Sequence, residues 1–292
     1  MNETPDFSLQ VAQDTCIRCR RCIRVCPSNL FFQAEPSGCV LPRNLQNCIL
    51  CGHCAAVCPT GAIRHSVFPP EKVHAIDRSA LPTPQQMLLL TKARRSHRAF
   101  SALPVPEDRL ETILEAAHRA PTASNRQETD FTLVTDPQML HRVAELTIEG
   151  FSSIVRLVGN PLLRPVIKRL HPDALASLPK FRRLVERFAQ GDDRILRGAK
   201  ALILFHTPDK NRFGCQDANL AYQNASLMAE TLEVAHFYTG FVCAAAARDK
   251  KKRLARLLGI QGTIHAGMAL GMPAFLYPNY IDKKDICVNR FR

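Results

Sequence analysis

The sequence contains no tryptophan and only four tyrosines in 292 residues, and aromatic residues make up 7% of it. No stretch approaches eighteen uncharged apolar residues, so no transmembrane span is expected. The opening residues 1–10 combine neither a basic region nor an apolar run, so a secretory signal is not expected and a cytoplasmic location is. The Gly-x-Gly-x-x-Gly fingerprint is missing, which removes a separate Rossmann site. Acidic residues are scarce beside basic ones, 26 Asp+Glu against 39 Lys+Arg, a formal charge of +13 that favours anionic partners. No nucleic-acid motif accompanies that charge, so nucleic acid is not the expected partner. Apolar residues at 46% and charged residues at 22% are ordinary globular values. At about 150 residues per domain the length suggests two domains.

Cysteine, by contrast, is abundant and unevenly placed. Of twelve, eight form two runs, Cys16-x2-Cys19-x2-Cys22-x3-Cys26-Pro27 and Cys48-x2-Cys51-x2-Cys54-x3-Cys58-Pro59. This spacing is the bacterial iron–sulfur signature, in which the fourth cysteine of each run ligates the opposite cluster. Three thiolates on one tight turn can each reach a different iron of one cubane. The reading assigns Cys16, Cys19, Cys22 and Cys58 to a first [4Fe-4S] cluster, and Cys48, Cys51, Cys54 and Cys26 to a second. Disulfides would need an oxidising compartment, and zinc gives no reason for a third Cys-x2 step or the Cys-Pro. The segment 8–66 resembles a bacterial-type two-cluster ferredoxin, down to Pro59-Thr-Gly-Ala-Ile63, and is an internal repeat with a period of 32 residues. Such ferredoxins are commonly acidic. Here Arg18, Arg20, Arg21, Arg24, Arg43 and Arg64 outnumber the acids, which suits either a solvated face or a site that raises the cluster potential or docks an acidic donor. The remaining cysteines, Cys39, Cys215, Cys243 and Cys287, read as inert buried thiols. His65, His97, His171, His206 and His265 have no metal-ligand spacing and read as surface or satisfied core histidines.

Prolines at 69, 70, 82 and 84 mark 67–84 as a semi-rigid linker. Beyond it, a helix is expected from Pro106 with Leu110, Ile113, Leu114 and Ala117 on one face and its end before Pro121. Strands are expected at 131–135, 201–206 and 265–270, and helices at 137–149, 217–235 and 250–258. The domain at 85–292 is therefore mixed, an α+β sheet domain with helices packed around it. Residues 156–212 hold thirteen Lys/Arg against five Asp/Glu. They read as a basic helical cap at about 150–200, with a membrane-surface helix as the other reading.

Arg94, Arg95 and Arg98 surround Ser96 in Lys92-Ala-Arg-Arg-Ser-His-Arg-Ala-Phe100, a ready phosphate cradle. Alone, that run would read as a solvated basic helix or a nucleic-acid patch. It is followed by Ala120-Pro-Thr-Ala-Ser-Asn-Arg-Gln127, by Asp217-Ala-Asn-Leu-Ala-Tyr-Gln-Asn-Ala-Ser-Leu-Met-Ala-Glu230, by Phe237-Tyr-Thr-Gly-Phe241 and by Ala269-Leu-Gly-Met-Pro-Ala-Phe275. In this order the motifs resemble the FMN-dependent nitroreductase family over roughly 84–280. The resemblance implies that Arg94, Arg95, Ser96 and Arg98 bind the FMN phosphate and ribityl chain. Thr122, Asn125 and Gln127 would hold the ring, and Tyr238, Thr239 and Gly240 would lie beside its reactive face. The last basic contact would come from Lys283, Lys284, Arg290 or Arg292, with Arg290 favoured. Tyr238 or His236 would be the candidate general acid. Two departures stand out: Val234-Ala235-His236 replaces the usual Gly-Leu, and Glu128-Thr129 replaces the usual Pro-Trp.

The resemblance also implies a homodimer with FMN at the interface and an electron-poor acceptor such as a nitroaromatic or quinone. Ferredoxin, flavodoxin or NAD(P)H would be the electron donor, and the clusters would relay electrons to FMN. The rival reading is a non-catalytic iron–sulfur carrier or redox sensor with a degenerate flavin domain. Two clusters bring about −4 and an FMN phosphate about −2, so the filled protein would stand near +7 and part of the basic excess is internal counter-charge.

Overall fold

The computed structural model describes residues 6–170 and 172–291, so His171 and Arg292 lie outside the described residues. The chain divides into two compact units. One runs to Pro82 and includes Ser124–Arg126; the other comprises Thr83–Ala123 and Gln127 onward.

In the first unit the elements are β1 (Leu9–Val11), α1 (Arg21–Val25), β2 (Phe31–Phe32), β3 (Leu41–Pro42), α2 (His53–Val57) and β4 (Ile63–His65). β1 pairs with β4 and β2 with β3, both antiparallel. Leu9, Leu30, Phe31, Val40 and Ile63 form its core, with six of the motif cysteines packed against it. α1 and α2 are offset by 32 residues, the period of the cysteine runs, so the repeat in sequence is a repeat in structure. The residues after 66 form two exposed 3-10 turns, Pro70–Lys72 and Arg78–Ala80.

The second unit contains α3 (Pro84–Ala93), α4 (Glu107–His118), β5 (Asp130–Val134), α5 (Pro137–Gly159), α6 (Arg164–Leu170), α7 (Pro172–Ala189), β6 (Ala201–Thr207), α8 (Gly214–Thr231), β7 (Ala235–Tyr238), α9 (Gly240–Arg248), α10 (Arg253–Leu257) and β8 (Thr263–Gly271). Thr83 and Gln86 form a reciprocal capping box, and Pro84 follows at the first helical position, which is why α3 begins where it does. Asp136 caps α5 in the same way through the Met139 N–H at 2.7 Å.

The sheet is antiparallel, in the order β5-β6-β8-β7. Its central strands, β6 and β8, are buried on both faces. Leu202 and Leu204 of β6 face a core shared with α5, α9 and α10, whereas Ala201, Ile203 and Phe205 face a second core shared with α4 and α8. The small residues Ala218, Ala221, Ala225 and Ala229 bring α8 close onto the second face. β8 carries a bulge at His265: Phe205 pairs with Ala266 and His206 with Ile264. The extra residue inverts the alternation, so Ile264 joins the first core while Ala266, Met268 and Leu270 join the second.

Several expected boundaries move. The helix expected at 217–235 runs from Gly214 to Thr231, because Ala235 begins strand β7. The helix expected at 137–149 continues to Gly159. The short helix α9, which Thr239 precedes, was not expected from sequence. Cys39, Cys215 and Cys287 are exposed rather than buried, and Cys243 is partly enclosed.

His236 is enclosed completely. Its Nδ1–H donates to Val234 O at 3.1 Å and its Nε2 accepts from Ser226 Oγ at 3.0 Å, tying β7 to α8. Burial holds it neutral and lowers its pKa from 6.5 to about 4, with Arg94 and His97 adding to the effect. Folding thus excludes a proton that the unfolded chain takes up below its ordinary value, so stability is full above pH 6.5 and is lost as pH falls toward 4. The contribution is on the order of 3 kcal/mol. His236→Gln should make the pH dependence of denaturant unfolding between 6.5 and 4 shallower by about one proton, measured beside the wild type; an unchanged slope contradicts this. Gly267, mid-strand in β8, leaves no room for a Cβ against Thr239 Oγ1. Gly267→Ala should cost about 1–3 kcal/mol of unfolding free energy.

Candidate functional site

In the first unit, seven of the eight motif cysteines interact in two separate sets, with Cys19 in neither. Cys22 interacts electrostatically with Cys16 and Cys58. Cys54 does so with Cys48, Cys51 and Cys26. The fourth cysteine of each run has therefore crossed to the other run's loop. Burial raises the Cys54 thiol to about 11, and like charge from its neighbours adds to that. Ionised thiolates in this setting need a positive counterpart, which iron supplies.

The backbone of both loops is shaped for such an anion. Arg18 and Leu50 have φ of 57° and 50°, and Arg20 and Gly52 have 61° and 69°, at positions related by the 32-residue repeat. Left-handed conformations at Arg and Leu cost roughly 1–2 kcal/mol each. They alternate with ordinary conformations to turn successive N–H groups to one side, the concave arrangement that binds anions. Leu30 N–H reaches Cys26 Sγ at 3.3 Å, and its repeat mate Ala62 N–H reaches Cys58 Sγ at 3.2 Å. At Cys58 burial opposes ionisation, but hydrogen bonds from the amide and hydroxyl of Thr60 and the amides of Ala62 and Ile63 outweigh it, so the thiol lies below its ordinary value. These residues fit two cubane clusters. Arg18, Arg20, Arg21, Arg24, Arg43 and Arg64 are exposed around them.

In the second unit, residues 94–101 are an extended segment fastened on both sides. His97 N–H donates to His236 O at 2.8 Å, covering the edge of β7, and Ser101 N–H donates to Met272 O at 2.8 Å. His97 is itself held: Nδ1 accepts from Ala99 N–H and Nε2–H donates to Phe275 O at 2.7 Å. This fastening separates the arginines. Arg94 and Arg98 both act on Tyr222, and the Arg98 guanidinium lies 5.8 Å from the Phe237 ring centroid. Arg95 goes elsewhere, 5.3 Å over the Tyr277 ring, into a cavity of about 330 Å³ that Glu230 and Glu233 also line.

Arg197, which the sequence reading did not single out, belongs with Arg98. It is desolvated, and repulsion from Arg194 and Arg98 lowers its pKa further, partly offset by Asp192 and Asp193. Guanidinium groups held close against their repulsion are of the residue type that binds phosphate. Tyr222 was also missed as a functional residue; burial pushes its hydroxyl up to about 12 against the pull of Arg94 and Arg98, so it stays protonated.

Thr122 and Gln127 meet, the Thr122 hydroxyl accepting from the Gln127 N–H at 3.0 Å. Ala123 N–H between them is held by Asp217 Oδ1 at 3.1 Å. Asn125 groups with the first unit, where its amide donates to Leu50 O at 2.8 Å and Ile49 O at 3.2 Å. Thr239 is buried ahead of α9, its N–H donating to Gly267 O at 2.8 Å, and Gly240 is exposed at the helix start. Tyr238 donates its hydroxyl to His265 O at 3.0 Å, and burial raises it well above the ordinary tyrosine value. Burial likewise raises the neighbouring Cys243 thiol to about 11. Of the two candidate acids, enclosed His236 has both ring nitrogens engaged within the core, while Tyr238 is half-buried. Arg290 is exposed near the C-terminus.

Residues 15–62 match the 4Fe-4S dicluster domain and residues 91–272 match the nitroreductase family. Among solved structures, a nitroreductase with bound FMN from Bacteroides fragilis is 22% identical, over 70% of this chain and 99% of that one, with a TM-score of 0.53. One with bound FMN from Desulfitobacterium hafniense is 20% identical, over 70% and 97%, with a TM-score of 0.54. Iodotyrosine deiodinase 1 of Rattus norvegicus is 34% identical over 65 residues, 22% of this chain and 23% of that protein, so the match spans under a quarter of that relative. The family match extends over more than half of the sequence, and the chain belongs to the nitroreductase family, carrying a 4Fe-4S dicluster domain ahead of its family domain.

Proposed function

We propose that the protein is an FMN-dependent oxidoreductase that draws electrons from a donor through its two [4Fe-4S] clusters and reduces an electron-poor small molecule. Bound FMN would supply the exchange between single electrons and a hydride delivered from N5. The observation that carries the reading is the arginine cluster. Arg94 and Arg98 both act on Tyr222, and Arg197 lies within reach of Arg98, in the same chain as a dicluster domain.

Arg94, Ser96 and Arg98 would hold the phosphate and ribityl chain, with Arg197 as an added cation and Arg95 outlying. Thr122 and Gln127 would meet the ring, and Thr239 and Gly240 would present the start of α9 to it. Tyr238 remains the candidate proton donor, because His236 is fully enclosed while Tyr238 is only half-buried. Tyr222 and Cys243 stay protonated, so the arginine charges are not cancelled by neighbouring anions.

The exposed arginines of the first unit suit an acidic donor such as ferredoxin or flavodoxin. NAD(P)H docking directly on the flavin is the alternative donor. Met87, Leu88 and Leu89 on α3, and Phe275, Leu276, Ile281 and Ile286 near the C-terminus, are all exposed apolar residues. Such surface needs cover, and a second copy of the chain would supply it, giving the expected homodimer. No described helix is long and apolar enough to cross a membrane.

A second acceptor class, halogenated phenols, is suggested by the 65-residue match to iodotyrosine deiodinase. Protein purified without oxygen should show a flavin band near about 450 nm over broad iron–sulfur absorbance. Reduced ferredoxin, NADH and NADPH, added in turn, should each be scored for bleaching it, and a nitroaromatic, a quinone and a halophenol for restoring it. Stoichiometric iron and sulfide without flavin, even after FMN is added, would sink this reading in favour of an electron carrier. Arg94→Ala and Arg98→Ala should each weaken FMN binding about tenfold to a hundredfold, as expected for a charge-assisted hydrogen bond. Arg95→Ala should weaken it far less in the same fluorescence titration.

A further inference from the structure

We propose that His65 donates a hydrogen bond to the Cys48 thiolate and so raises the reduction potential of the second cluster alone. The ring is buried to 3% exposure on β4. Phe7 stacks on one side of it, with centroids 4.9 Å apart and planes 10° from parallel, and Phe68 meets it edge-on at 4.9 Å. The pairing of Leu9 with His65 fixes the backbone beneath. Val67 N–H donates to Nδ1 at 3.2 Å. A ring nitrogen that accepts cannot carry the proton, so in the neutral ring the proton is on Nε2. That nitrogen lies 3.9 Å from Cys48 Sγ. The packing thus selects the tautomer and aims its only N–H at a ligating sulfur.

One-electron reduction takes the cubane core from +2 to +1, with no bond formed or broken, and the added negative charge spreads over the sulfurs. An N–H donor at a ligating sulfur stabilises the reduced form more than the oxidised one, which raises the potential. The internal repeat supplies a contrast. Gln33 precedes His65 by the same 32 residues by which Cys16 precedes Cys48. Its amide is committed elsewhere, to Pro36 O at 3.0 Å and Gly38 O at 2.8 Å. The device is therefore built into one half of the repeat. It makes two cubanes of identical ligand chemistry unequal, so an electron entering the pair has a preferred resting place.

The inference rests on the cluster assignment and not on the flavin reading. The test is a dithionite titration of the holoprotein followed by electron paramagnetic resonance, with iron and sulfide counted first. His65→Phe keeps an aromatic ring between Phe7 and Phe68 but removes the donor; His65→Gln offers an amide donor. His65→Phe should lower one of the two reduction steps and leave the other in place, and His65→Gln should recover part of the difference. Wild-type potentials in His65→Phe, or an equal shift of both steps, would overturn the proposal. If His65→Phe assembles short of iron, His65→Met against His65→Gln reads the same contrast, and equal potentials in that pair overturn it. The wild-type fold offers an independent check. His53 directly precedes Cys54 in the second run and is the other histidine near that cluster, so histidine-selective 15N labelling should give a coupling to one reduced cluster that persists in His53→Asn, and its absence refutes the bond. Dithionite bypasses the natural donor and the spectra report clusters directly, so a failure of flavin binding would alter none of these outcomes.

Discussion

Negative charge held against an apolar core is costly unless donors face it, and the first unit of the protein is organised by that cost. There, cysteine sulfurs pack onto a small core of Leu9, Phe31, Val40 and Ile63, so the backbone has to turn its own N–H groups toward them. Arg18, Arg20 and Leu50 adopt left-handed conformations that no helix or strand requires. In the second unit like charges are held close: Arg197 lies within reach of Arg98 although repulsion opposes it, and Arg94 and Arg98 act on Tyr222, which keeps its proton.

The arginine cluster in turn depends on the sheet. Strands β6 and β8 are buried on both faces, so loops rather than faces are available for chemistry. The 94–101 segment is hydrogen-bonded along the edge of β7, and that registration sends Arg94 and Arg98 one way and Arg95 the other. The bulge at His265 lies farther back along β8. It switches which core Ile264 enters, while the freed carbonyl of His265 accepts the Tyr238 hydroxyl. Gly267 is small because Thr239 leans across it, linking a strand centre to the start of α9.

Legibility in the sequence followed the range of the interaction. The cysteine runs were readable because three ligands of one cubane must lie within a single turn, and the crossing of Cys26 and Cys58 was readable from the Cys-Pro that ends each run. The helix α4 was readable from its own periodicity, with Leu110, Ile113 and Ala117 all buried as their spacing implied. β7 and α9 were not, because Ala235 continues an alanine-rich pattern and only pairing with β8 makes it a strand. His65 looked like any core histidine, since the sulfur it faces lies 17 residues away and the nitrogen that fixes its tautomer belongs to a turn.

By itself, then, the amino-acid order determined the local chemistry: two runs of four cysteines, a run of arginines around Ser96, an α+β pattern and the order of motifs that marks the family. Tertiary structure alone decided which members of those motifs lie together. It separated Arg95 from Arg94 and Arg98, set Arg197 within reach of Arg98, enclosed His236, occupied the amide of Asn125 with Ile49 and Leu50, and paired His65 with Cys48. The reason is physical: a motif specifies donors and charges, but burial and the direction of a hydrogen bond exist only after distant segments have packed.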